Sequence, residues 1–181
     1  TREDLGYDMA MAEFLEQCNS TIKPSSVKRY KVSARAIHPH FTGRKLADIT
    51  KADILHALDK RKREVTGSAV NRDRALLSAM FTFACDRAYV EFNPVLAVKK
   101  HRENEARTRN LTEWEYSTIH AACGKLLADM VAFDVETGLR VSELVFLKWS
   151  EVDLKKMEAT PTETKSGKAR QVPLSDKSLA I

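Results

Sequence analysis

Thr137-Gly138-Leu139-Arg140-Val141-Ser142-Glu143-Leu144 is followed by Leu147-Lys148-Trp149. Shortly after comes Thr164-Lys165-Ser166-Gly167-Lys168-Ala169-Arg170-Gln171-Val172-Pro173-Leu174, and together these stretches decide how the chain reads. They set Arg140 at a helix start and a lysine in a tight turn, two cations suited to one phosphate. The planar fork of arginine can bridge two phosphate oxygens and stays protonated, while Gly138 lets a backbone approach closely. Glu143 falls three residues after Arg140 on the same helix face, where its carboxylate can hold the guanidinium in place. The competing reading is a surface arginine paired with Glu136 or Glu143.

Outward from that stretch, composition narrows the classes. A chain of 181 residues with 43% apolar content can bury a core without staples, as one large domain or two small ones. Cys18, Cys85 and Cys123 are odd in number and far apart, which argues against a disulfide framework or a zinc site and for inert thiols in a reducing cytosol. No apolar run approaches a membrane span, and acids stand where a signal peptide carries bases, so the expectation is a soluble, cytoplasmic protein. The net charge of +5 is unevenly spread: residues 1 to 110 carry 21 Lys+Arg against 14 Asp+Glu, and residues 111 to 181 carry 9 against 11. Such a basic block makes nucleic acid the leading partner.

Periodicity predicts four helices before residue 98. The first follows Tyr7-Asp8, with Asp8 as N-cap; the second starts at Lys23-Pro24-Ser25-Ser26 with a serine cap and is closed by Pro39 and Gly43. Thr50 caps a third, with Ile54, Leu55 and Leu58 as its stripe and Lys60 to Arg63 in its last turn. A fourth runs from Thr66-Gly67-Ser68 to about Tyr89, and Asn93-Pro94 ends the bundle. Residues 99–110, almost without apolar side chains, read as a basic linker. Thr112 and Glu115 form a capping-box start, and two or three helices reach Leu147. Beyond Trp149 the pattern turns to a hairpin: a strand from Met157 to Thr164, a turn at Ser166-Gly167, a return from Ala169 to Val172, and a further helix beginning near Ile181.

The arginine string with Glu143 and Leu-Lys-Trp, and the Thr-Lys-Ser-Gly frame, resemble the tyrosine recombinase (phage integrase) family. Ser68-Ala69-Val70-Asn71-Arg72-Asp73-Arg74-Ala75-Leu76-Leu77-Ser78-Ala79-Met80, leading to Phe92-Asn93-Pro94, is similar to the same family's DNA-binding bundle. The resemblance implies a mainly α architecture. An N-terminal four-helix DNA-binding bundle of the SAM-like core-binding type (1–98) is joined by a basic linker (99–110) to a truncated α+β catalytic domain with a small antiparallel β-hairpin (111–181). It implies that Arg140 stabilises a phosphorane-like transition state, that Lys165, with Lys168 as its rival, is the general acid, and that Glu143 supports Arg140. DNA contacts are expected from Lys28, Arg29, Arg35, Arg44, Lys45, Asn71, Arg72, Arg74, Lys99, Lys100 and Arg102, although a solvated basic face competes for each of them.

Strand cleavage in that family passes through a 3′-phosphotyrosyl intermediate without metal, ATP or other cofactor. The implied partner is double-stranded DNA, held by a homo-tetramer with accessory DNA-bending proteins and no membrane. The family's H-x-x-R box and late tyrosine are not in the sequence. Tyr7, Tyr30, Tyr89 and Tyr116 all precede Arg140. The expectation is therefore a DNA-binding fragment of a recombinase that does not cleave unaided, with Thr1 an unnatural start. The alternatives are a non-catalytic integrase remnant or regulator, and a helical protein-interaction module.

Overall fold

The computed structural model describes residues 5–104, 108–164 and 167–181. It divides into two compact units, Thr1–Arg107 and Thr108–Ile181.

The first unit is built from four helices: α1 (Tyr7–Thr21), α2 (Pro24–Phe41), α3 (Lys51–Lys62) and α4 (Gly67–Asp86). Their buried faces meet in one core that includes Tyr7, Phe14, Ile37, Phe41, Ile54, Leu58, Leu76, Leu77, Met80 and Phe81. Val27, Ala34, Ile37 and Phe41 recur at the spacing of a single α2 stripe, so burial of apolar area fixes that helix's rotation. Aromatic contacts tie the elements across the core, Tyr7 on Phe41 and Phe14 against both Tyr30 and Phe83.

Helix starts follow local chemistry, with two departures from the sequence reading. Thr50 and Asp53 form a full capping box on α3, and Thr66 accepts from the Ala69 N–H at the start of α4. α1, however, is capped by Gly6 rather than Asp8. The Asp8 carboxylate accepts instead from the Gly43 N–H at 2.8 Å and the Thr42 hydroxyl at 3.2 Å, and it meets His38 at 3.1 Å. It thereby fastens the first turn of α1 to the end of α2. Likewise α2 starts without a serine cap: Lys23 is the N-cap and Pro24 occupies the first helical position, where its fixed φ is already helical. Pro39 lies inside the last turn of α2 instead of ending it, and the chain turns away at Gly43, whose φ of +74° suits glycine. α4 ends at Asp86, a turn earlier than the apolar pattern suggested.

Residues 101–103 also behave differently from a free linker. The His101 N–H donates to Asn71 Oδ1 and the Asn71 amide donates to the His101 carbonyl, both at 2.9 Å. Glu103 accepts from Ser68 Oγ and Asn71 Nδ2, both at 2.6 Å. The segment has no apolar residue to bury, yet it is tied to the first turns of α4 by polar bonds that hydropathy does not register.

In the second unit α5 (Glu113–Ala122), α6 (Lys125–Thr137) and the five-residue α7 (Val141–Val145) precede a three-stranded antiparallel sheet in the order β1-β2-β3. The strands are β1 (Val152–Asp153), β2 (Glu158–Ala159) and β3 (Val172–Pro173), followed by α8 (Asp176–Leu179). Val152 pairs with Ala159 and Ala159 with Val172, which buries Ala159 at the centre. The strands are shorter than expected and β1 is additional. Thr162, in the loop after β2, bonds to the Glu151 carboxylate through its N–H and its hydroxyl, so its hydrogen bonds go to a side chain rather than to a ladder. Among the described residues no helix is long and apolar enough to cross a membrane.

Candidate functional site

Gly138 closes α6 in the left-handed conformation, φ +58°, and its N–H returns to the Asp134 carbonyl. This sharp exit places Leu139 in the core and Arg140 at the N-cap of α7. Glu143, one turn into α7, then does two jobs. One carboxylate oxygen accepts from the Arg140 backbone N–H at 3.0 Å; the other accepts from the Arg140 guanidinium at 2.8 Å. The Glu143 side chain is fully buried while Arg140 keeps 60% of its side-chain exposure. An acid under cover therefore holds a cation that still faces solvent.

A second guanidinium meets the same acid. Arg170 donates to Glu143 at 2.9 Å and to the Gly138 carbonyl at 3.2 Å, reaching across from the residues just before β3. The Arg140 backbone bond, then the Arg170 and Arg140 side-chain bonds, hold the Glu143 carboxyl down to about 2. The carboxylate is thus ionised throughout the physiological range. Two cations on one anion leave a local charge of +1, suited to a phosphodiester. The sequence reading placed Arg140 and Glu143 together and gave Arg170 no role. Its signal was there, an arginine at fixed distance after the lysine turn, but spacing alone does not show that a loop folds back onto α7.

Of the two lysine candidates, Lys165 lies outside the described residues. Lys168 is exposed, and its carbonyl accepts from the buried Thr164 hydroxyl at 2.7 Å. Among the described residues no group of three or more His, Cys, Asp or Glu is placed to hold a metal ion.

The cations of the first unit sort into two groups. Lys28, Arg29 and Arg35 on α2, and Arg72 on α4, are exposed and make no side-chain hydrogen bond or ion pair among the described residues. Lys28 and Arg35 stand one above the other with Lys31 between them, lining one groove on the outer face of α2. Arg44 instead pairs with Asp53 at 2.8 Å and donates to the Asp48 carbonyl, bracing the end of α2 against the start of α3. Arg74 donates to the Val98 and Val95 carbonyls at 2.8 and 3.2 Å, and Asn71 spends both halves of its amide on residues 101–103. These three side chains, expected to face DNA, have work inside the protein. Lys45 is exposed beside Arg44, and Lys99, Lys100 and Arg102 are exposed on the segment that lies against the start of α4.

The sequence matches the profile of the phage integrase central domain over residues 7–101 and that of the phage integrase family over residues 109–181. The chain belongs to the phage integrase family of tyrosine recombinases.

Among its relatives, the shufflon-specific DNA recombinase of Escherichia coli is 31% identical over 161 residues, covering 82% of this chain and 40% of the relative. The integrase of Escherichia phage HK022 is 28% identical over 156 residues, 84% of this chain and 43% of the relative. This phage integrase family chain thus spans less than half the length of either. Among solved structures, a lambda integrase tetramer bound to a Holliday junction superposes with a TM-score of 0.84 at 24% identity. That match covers all of this chain and 55% of the other.

All four tyrosines of this integrase-family chain precede Arg140, and each has local contacts. Tyr7 is buried against Phe41, Tyr30 packs on Phe14, Tyr89 donates to Glu13 and Tyr116 lies against His120.

Proposed function

We propose that this chain binds double-stranded DNA and supplies the arginine-box part of a site-specific recombination site, acting in the cytoplasm on integration or excision substrates. The observation that carries the reading is Arg140, solvent-facing yet fixed by a buried carboxylate, in a chain of the phage integrase family. A preorganised guanidinium stabilises the charge that develops on a pentacoordinate phosphorus without having to be ordered during the reaction. Residues 1–98 are the duplex-gripping domain and 111–181 the phosphate-facing one. Lys28, Arg29, Arg35, Lys45, Arg72, Lys99, Lys100 and Arg102 supply backbone contacts, while Arg44, Asn71 and Arg74 shape the surface that presents them. Lys165 is the general acid, and assembly on DNA is tetrameric with accessory DNA-bending proteins, as the family resemblance implies.

Two measurements test the reading. Duplex affinity across a salt series is expected to fall steeply with salt and to lose slope in a Lys28→Glu/Arg35→Glu variant. Arg140→Ala in the full gene product is expected to abolish strand cleavage while changing duplex affinity little. Equal loss of binding and cleavage would contradict the assignment. A non-catalytic DNA-binding role is the second reading; full affinity with no cleavage in the full gene product would select it.

A further inference from the structure

The Glu143 carboxylate poses an electrostatic problem that Arg170 resolves. A buried acid that bonds Arg140 one to one fixes the guanidinium but also cancels its charge toward an approaching phosphate. With Arg170 on the same carboxylate, the acid is shared between two guanidiniums and the group keeps a net +1. Arg170 also donates to the Gly138 carbonyl, so a single side chain joins the turn before α7, the buried acid and the residues leading into β3. Its side chain keeps 41% of its exposure, so the pairing stands at the surface from which phosphate would come.

We propose that Arg170 is a charge-compensating positioning residue of the arginine box: by sharing Glu143 it leaves the positive charge of Arg140 available to phosphate. The inference rests on the reading of Arg140 as a phosphate-binding group. Arg170 acts through Glu143 and is not itself required to touch the substrate. Charge, more than exact geometry, is what it contributes. A lysine at 170 retains the charge with a single point of contact, and removal of the negative charge from Glu143 makes compensation unnecessary.

The test uses the 181-residue chain with inorganic phosphate as the probe, following the guanidinium NMR signals of Arg140. Phosphate is expected to shift those signals saturably in the wild type. Arg170→Ala is expected to weaken that binding by on the order of 10-fold, the effect of one unit charge close by in a partly exposed site. Arg170→Lys is expected to recover most of the loss, and so is the double variant Arg170→Ala/Glu143→Gln. Thermal unfolding of each variant separates loss of fold from loss of binding, and the lysine variant keeps the comparison alive if the alanine variant does not fold. Binding unchanged in Arg170→Ala overturns the proposal. So does a loss that neither Arg170→Lys nor Glu143→Gln repairs, which would make Arg170 a loop anchor only. A wild-type chain whose Arg140 signals ignore phosphate defeats the Arg140 reading itself and this inference with it. A normal wild-type response with an unaffected Arg170→Ala defeats the inference alone.

Discussion

Replacing Gly67 with alanine is expected to destabilise the first unit, against the usual sign of that substitution in a helix. Gly→Ala ordinarily stabilises a helical position by about 0.5–1 kcal/mol, because the unfolded chain loses less entropy on folding. At Gly67 an added Cβ would stand 2.2 Å from the Arg102 carbonyl oxygen and 3.2 Å from its carbon, both backbone atoms that cannot swing aside. Segment 101–103 must therefore lift. Lifting breaks the two 2.9 Å bonds between Asn71 and the His101 backbone, and each such bond contributes about 0.5–1.5 kcal/mol net. Asn71 is buried, so an amide left without partners adds about 1–3 kcal/mol unless water reaches it. Loss outweighs gain, for a net destabilisation of about 1–5 kcal/mol, at the low end if water reaches the amide. At about 4–8 °C per kcal/mol for a domain of this size, the shift is easily read in a thermal melt. Trypsin cleavage after Arg102 is expected to accelerate in parallel. Asn71→Ala should act in the same direction, and the double variant should cost less than the sum, because both changes break the same bonds. A Gly67→Ala protein as stable as the wild type, or more so, would refute the claim that this segment is held on α4.

Thr50→Ala is expected to lower stability by about 1 kcal/mol in a denaturant titration, since it removes one half of the α3 capping box. Arg74→Glu is expected to cost about 2–4 kcal/mol through loss of its bonds to the Val95 and Val98 carbonyls. Arg72→Glu, by contrast, should leave stability within about 0.5 kcal/mol of wild type, and the same change should reduce the salt slope of duplex binding by about 1. The folded-state value of Glu143, about 2, lies below that of an unfolded glutamate. Its contribution to stability is therefore complete above about pH 4.3 and is lost as pH falls toward 2. The backbone amide NMR signals of the second unit should report an acid-induced loss of stability in that window that Glu143→Gln flattens.

The sequence carried the four-helix first unit because its signals are local: apolar stripes at helical spacing, threonines at positions 50 and 66, and glycines where the chain must turn. It carried Arg140 and Glu143 for the same reason, since three residues along a helix is a local distance. What it did not carry depended on contacts distant in sequence. Asp8 looks like a cap for α1 until the end of α2 arrives to claim its carboxylate. Arg170 lies 27 residues from Glu143, and nothing in the intervening composition announces their meeting. The antiparallel hairpin was legible at the positions of β2 and β3, but their two-residue length was not, and β1 was beyond reach because period-two alternation needs more residues than it contains.

Arg44, Arg72, Arg74, Arg140 and Arg170 are alike in sequence, and the structure sorts them by what waits within hydrogen-bond reach. Carbonyls left open by the turns before residue 99 take Arg74, a capping aspartate takes Arg44, and a buried glutamate takes Arg140 and Arg170 together. Arg72, two positions from Arg74 and so rotated about 200° around α4, points away from these acceptors and stays exposed. Counting cations therefore overstates the surface available to DNA. The side chains that fix the fold around the proposed phosphate-binding face need the same charge and the same donors as those that would bind phosphate. Only the location of their acceptors, inside the protein or on the ligand, separates the two, which is why paired substitutions such as Arg72→Glu with Arg74→Glu must be read on stability and binding at once.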